Sequence, residues 1–103
     1  MNKKLIEKLN ELVSKHKIIT EQLADEKIYQ DHALLKKLNQ EFAKIDPIIK
    51  IYNEYKSILI SIEESKSFVN DKDKDLKRIA EEDIIANSTI RDSLEKHLEN
   101  ELV

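Results

Sequence analysis

The stretch "KKLNQEFAKIDPIIKIYNEY", residues 36–55, carries the only proline of the chain inside what otherwise reads as one long amphipathic helix. Leu35, Leu38, Phe42 and Ile45 step by three, four and three, which keeps one helical face apolar. Ile48, Tyr52, Tyr55, Leu59, Ile62, Lys66 and Val69 continue the series. Between Ile45 and Ile48 the step is three where four is due, so the stripe changes phase beside Pro47. There the backbone loses a donor and the proline ring crowds the preceding turn. Two readings follow. Asp46 can serve as N-cap, with Pro47 at the first position of a fresh helix. Alternatively a single helix runs from about 32 to 69 with a kink near residue 46. The immediate resumption of the stripe, with no room for a loop, favours the single helix.

Working outward, Leu5, Leu9, Leu12, His16, Ile19 and Leu23 alternate four and three in a segment spanning about 2–24, with Ile6 and Val13 widening the stripe. His16 falls in that seam, and no second histidine or carboxylate cluster stands near it in sequence at metal spacing, so it reads as a partly exposed packing residue. The pattern lapses in "ADEKIYQDHALL", where Asp31 can cap a helix beginning near His32. After "SFVNDKDKDLKR", in which Asn70, Asp71 and Asp73 are candidate caps, a third stripe runs through Leu76, Ile79, Ala80, Ile84, Ile90, Leu94, Leu98 and Leu102. That acidic run lacks the central glycine and the terminal glutamate of a calcium loop and reads as a turn. The short polar patch Asn87–Thr89 lowers helix propensity without forcing a break. The expected fold is all-α: three antiparallel long helices, about 2–24, 32–69 and 74–102, forming an elongated bundle or coiled-coil-like arm with the middle helix longest.

Composition agrees. The 103 residues include no glycine, cysteine or tryptophan, which removes the residues that build tight turns, disulfides and thiolate chemistry. Charged residues at 38% nearly balance hydrophobic residues at 40%, as expected of helices with one buried stripe and a broad solvated face. The length suits one domain with one thin, aliphatic core. A net charge of −3 argues against a nucleic-acid surface, although Lys3, Lys4, Lys8, Lys15 and Lys17 bias the first helix towards the basic. Neither a signal peptide nor a membrane span is legible.

No constellation for chemistry is legible in the sequence. His16, His32 and His97 lie in separate segments, and pairs such as Glu63 with Glu64 or Glu81 with Glu82 point in different directions on a helix. A glycine-rich phosphate loop is impossible without glycine. No catalytic, cofactor-binding or metal-ligating residue is assigned, and no cofactor is expected. The apolar surplus of Ile18, Ile28, Tyr29, Ile49 and Ile51 reads as extra core, with a docking surface or self-association as the alternative.

Taken in order, "IEKLNELVSKHKIITEQLAD", "LLKKLNQEFAKIDPII", "YNEYK" and "LISIEESKSFVNDKDKDLKRIAEEDI" give the chain a likeness covering essentially its whole length. It resembles the N-terminal helical domain of the bacterial peptide chain release factor 1 family, among the class I translation release factors. "LNQEFAKID" and "YNEYK" lie nearer to that family than to release factor 2. The resemblance implies that residues 1–103 are the N-terminal helical domain of a longer cytoplasmic factor that terminates translation at UAA and UAG by promoting peptidyl-tRNA hydrolysis on the ribosome. In that family a Pro-x-Thr type tripeptide helps to read the stop codon of the mRNA, and a Gly-Gly-Gln loop reaches the peptidyl transferase centre. Neither can be placed here, so the decoding and catalytic parts would lie outside this segment. The implied partners of the arm are the stalk base of the large ribosomal subunit and release factor 3, with no membrane and no DNA. A release factor 2 type arm, and a stand-alone helical adaptor binding a protein partner, remain as alternatives.

Overall fold

The computed structural model describes residues 1–102. It contains α1 (Lys3–Leu23), a short 3-10 helix η1 (Glu26–Gln30), α2 (His32–Lys66) and α3 (Lys74–Glu101). The three long helices and the longest-in-the-middle order are those expected from the sequence. Pro47 lies inside α2, so the reading of Asp46 and Pro47 as a helix boundary falls.

The ends of the helices follow local chemistry. Asn2 Oδ1 accepts from the backbone N–H of Lys4 at 2.7 Å and starts α1. Asp31 Oδ1 accepts from Leu34 N–H at 3.1 Å, as its position before His32 predicts. Asp73 Oδ1 accepts from Asp75 N–H at 2.9 Å and from Leu76 N–H at 3.4 Å, and it is the cap among the three candidates. Each such contact satisfies a donor that the first helical turn leaves orphaned. At the other end of α1, the Tyr29 hydroxyl donates to Leu23 O at 2.8 Å, closing an orphan carbonyl with a residue from η1. α3 continues through Asn87–Thr89, where Thr89 Oγ1 bonds back to Ile85 O at 3.3 Å.

The chain divides into two compact units, Met1–Lys50 and a second from Ile51 onward. Helix lengths give a reason. At 1.5 Å per residue the 35 residues of α2 span about 52 Å, whereas the 21 residues of α1 span about 32 Å. One partner cannot cover the whole of α2. In the first unit the core is Ile19 of α1 with Leu38, Ile45 and Ile49 of α2, flanked by Leu12, Phe42 and Ile28. In the second unit Tyr52, Tyr55 and Ile62 of α2 and Ala80 and Leu98 of α3 are the buried residues.

Those positions correct the expected phase of the stripe. Ile49, at 6% exposure, takes the place assigned to Ile48, which is half-buried. Leu38, Phe42, Ile45, Ile49 and Tyr52 thus run four, three, four, three without interruption past the proline. The short step comes instead between Tyr52 and Tyr55, both buried. Isoleucine at 48, 49 and 51 leaves the stripe several places to turn, and packing chooses a later one than Pro47.

α2 also ends at Lys66 rather than near residue 69, because residues 67–70 leave the helix in successive turns. Phe68 N–H bonds to Ser65 O at 3.0 Å and Asp71 N–H to Phe68 O at 3.1 Å. Val69 is half-buried in that turn rather than on a helix.

Candidate functional site

Side chains come together beyond what packing alone requires in each unit. In the first unit His16 of α1 stacks on Phe42 of α2, with ring centroids 5.4 Å apart and planes 26° apart. Its Nε2–H donates to Asp46 Oδ1 at 2.9 Å. The other oxygen of Asp46 meets Lys50 Nζ at 3.1 Å, one helical turn on. The hydrogen bond from His16, followed by that from Lys50, holds the Asp46 carboxyl below its ordinary pKa. Sequence spacing shows no carboxylate partner for His16, and Asp46 is a cap only in the helix-boundary reading that the position of Pro47 inside α2 removes. The structure joins them across thirty residues, through an antiparallel register that sequence spacing alone does not display.

In the second unit Tyr55 and Glu95 are joined by a similar cross-helix contact, the phenol donating to Glu95 Oε1 at 2.7 Å. Burial, then the hydrogen bond to Glu95, pushes the Tyr55 pKa up to about 12. Lys56 Nζ lies 4.6 Å from the centre of the Tyr52 ring, a distance at which the cation is attracted to the aromatic face.

Leu76 and Ile79, which their spacing places in the buried stripe, are instead 44% and 47% exposed, whereas Ala80 in the same turns is 5% exposed. Phe68, from the turn, is 45% exposed beside them. With Ala80 they line a groove of about 270 Å³, bordered by Glu64 and Ser65 of α2 and Asp83 of α3. A second shallow concavity adjoins it along α2, lined by Leu59 and Ile60 and sharing Glu64.

The surplus hydrophobics divide differently from expectation. Ile49 is buried, and Ile28 packs at half-burial against the first unit's core. Ile51 is half-buried, whereas Ile18 and Tyr29 are exposed. Tyr29 nevertheless has a structural task, the cap on α1.

None of these places is arranged for bond-making chemistry. The His16–Asp46–Lys50 row satisfies its own charges, and the groove is apolar with two carboxylates at its border. Among the described residues no group of three or more His, Cys, Asp or Glu side chains is placed to hold a metal ion. Among the described residues no helix is long and apolar enough to cross a membrane. The carboxylates of the acidic turn are directed at backbone donors: Asp71 Oδ1 accepts from Asp73 N–H at 2.9 Å, and Asp73 caps α3.

Comparison with known proteins gives this helical architecture a family. The PCRF domain matches residues 12–103, which takes in the second half of α1 and everything after it. Peptide chain release factor 1 of Cytophaga hutchinsonii is 29% identical over 92 residues, covering 88% of this chain and 26% of its own length. Peptide chain release factor 1 of Clostridioides difficile is 34% identical over 77 residues, covering 74% of this chain and 22% of its own length. The chain thus spans about a quarter of the length of these curated relatives. No solved structure matches it. The match over residues 12–103 covers most of the chain, and the chain belongs to the PCRF domain family.

Proposed function

We propose that the chain is the N-terminal helical arm of a peptide chain release factor 1, a factor that ends translation at UAA and UAG by promoting peptidyl-tRNA hydrolysis on the ribosome. The observation that carries this reading is the PCRF match over residues 12–103 together with two relatives named peptide chain release factor 1. The 103 residues contain no glycine, so no Gly-Gly-Gln tripeptide lies within them, and the arm's contribution is contact rather than chemistry. Its partners in this reading are the stalk base of the large ribosomal subunit and release factor 3, and its compartment is the cytoplasm. A helical body with a broad charged face suits such a role, because interface specificity comes from placed side chains on rigid elements.

The test is co-sedimentation of the 103-residue chain with ribosomes, paired with reading of the frame that follows codon 103. Binding to the large subunit, with an open frame leading to Pro-x-Thr and Gly-Gly-Gln tripeptides, is the expected result. A stop codon at that point, with no ribosome binding, would overturn the proposal.

A further inference from the structure

We propose that the groove at the α2–α3 turn is a docking site for a basic amphipathic helix of a protein partner. The proposal deepens the reading of the chain as an arm that carries contacts, and it rests on that reading by naming the surface and the partner's chemistry.

The first support is apolar. Phe68, Leu76 and Ile79 are large side chains left near half-exposed around one concavity, and contiguous exposed apolar surface with a polar border marks interaction sites. At about 270 Å³ the groove is smaller than the roughly 300–1,000 Å³ of small-molecule pockets, and it suits one or two anchoring side chains of a larger partner. Ile60, which is 60% exposed, extends the apolar surface along α2. From Ile60 to Ser67 the rise of the chain is about 10 Å, close to two helical turns. An amphipathic helix reading such a groove does so with anchors one and two turns apart.

The second support is charge. Glu64 and Asp83 line the groove, and among the described residues no basic side chain lines it and no ion pair holds either carboxylate. Of the cations in this segment, Lys66 Nζ is 3.1 Å from Glu63 and Arg78 Nη2 is 3.7 Å from Asp75, while Lys72, Lys74 and Lys77 are not among the residues that line the groove. A nucleic-acid phosphate would meet two unpaired carboxylates, which disfavours it. A second copy of the chain docked two-fold on this groove would bring the same carboxylates against each other. Lysine or arginine flanking an apolar stripe is the complement that remains, giving charge-assisted contacts at the border around a desolvated apolar centre.

The probe is a pair of synthetic helical peptides of about 18 residues, five turns, with one leucine stripe flanked in one peptide by lysine and in the other by glutamate. Each is titrated into the isotope-labelled 103-residue chain and followed through backbone amide resonances. The expected result is a set of shifts confined to residues 60–83, with the lysine peptide preferred at least about tenfold, an increment typical of a few charge contacts. Glu64→Lys with Asp83→Lys should invert that preference, whereas Glu99→Lys should leave it unchanged. Ile79→Ser and, separately, Leu76→Ser should weaken binding about fivefold or more. Both residues are already near half-exposed, so the fold tolerates the exchange, and amide dispersion checks that it does. The proposal is overturned by shifts spread evenly over the chain, by a preference insensitive to the paired reversal, or by groove resonances that respond instead to chain concentration or to single-stranded RNA. Ribosome co-sedimentation separates the two levels. A chain that sediments with ribosomes while the paired reversal leaves peptide binding unchanged would overturn the groove and leave the arm.

Discussion

Replacing Tyr55 by phenylalanine removes one oxygen from the second unit and should change its stability in two separable ways. The Tyr55 side chain is only 6% exposed, and its hydroxyl donates to Glu95 Oε1 at 2.7 Å. Hydrogen bonds to charged groups contribute about 1.5–3 kcal/mol. Glu95 is half-buried, so water reaches it when the phenol is gone, and the lower end, about 1.5 kcal/mol, is the expected loss at pH 7. The second effect depends on pH. Displacement of the phenol from 10.0 to about 12 corresponds to roughly 3 kcal/mol of preference for its protonated form in the fold. Between these values the folded chain holds a proton that the unfolded chain has released, so stability is fully present below pH 10 and falls as pH rises through about 12.

The phenylalanine variant has no such proton to hold. Its deficit should shrink above pH 10 and vanish near pH 11, where the wild-type chain has lost about 1.4 kcal/mol of this contribution. Urea unfolding followed by helical circular dichroism at a series of pH values gives the difference directly, and subtraction removes every other group that titrates in the same window. Tyrosinate absorbance supplies an independent check, since the late step near pH 12 should be missing from the variant. A Tyr55→Phe chain as stable as wild type at pH 7, or one with the same alkaline loss, would refute the reasoning.

Pro47→Ala should stabilise the chain by about 1–3 kcal/mol, because a proline within a helix lacks the N–H of one backbone bond and crowds the turn before it. Thermal unfolding measures the gain, and an unchanged or lower midpoint would contradict a continuous α2. Asp46→Asn should weaken the first unit at neutral pH, with the difference from wild type fading as pH falls below the ordinary carboxylate range. Its lowered pKa means that the contribution of Asp46 is present above that range and lost as the folded carboxyl takes up its proton. Acid titration of both chains by circular dichroism tests this, and a difference constant down to full protonation would count against the His16–Asp46 contact.

The parts of the fold that depend on neighbouring residues were legible in the sequence. Asp31 and Asp73 cap the helices they precede because a short acceptor side chain reaches the backbone donors two or three residues on, and no distant partner has a say. What depends on register was not legible. The choice between Ile48 and Ile49 turns on which helix lies opposite, and a run of isoleucines offers both. The pairing of His16 with Asp46 needs the antiparallel offset between α1 and α2. The groove depends on packing in the same way: Leu76 and Ile79 fit an apolar stripe by spacing, yet they lie near half-exposed with Phe68 around one concavity.

Pro47 marks no boundary, and its tolerance inside α2 has a physical basis in the face on which it sits. Pro47 and Ala43, whose carbonyl is the one left without its usual donor, are both exposed, so water can satisfy the orphaned oxygen. Ile45 and Ile49, two positions to either side, are 6% exposed and keep the apolar stripe intact on the opposite face. The side chain just before the proline adds to this, because Asp46 is tied both to His16 on α1 and to Lys50 one turn ahead within α2. The backbone defect is therefore placed where solvent repairs it and where side-chain contacts bridge it. The gain expected from Pro47→Ala should accordingly appear in helix stability without moving any buried residue, which amide shifts of Ile45 and Ile49 can verify.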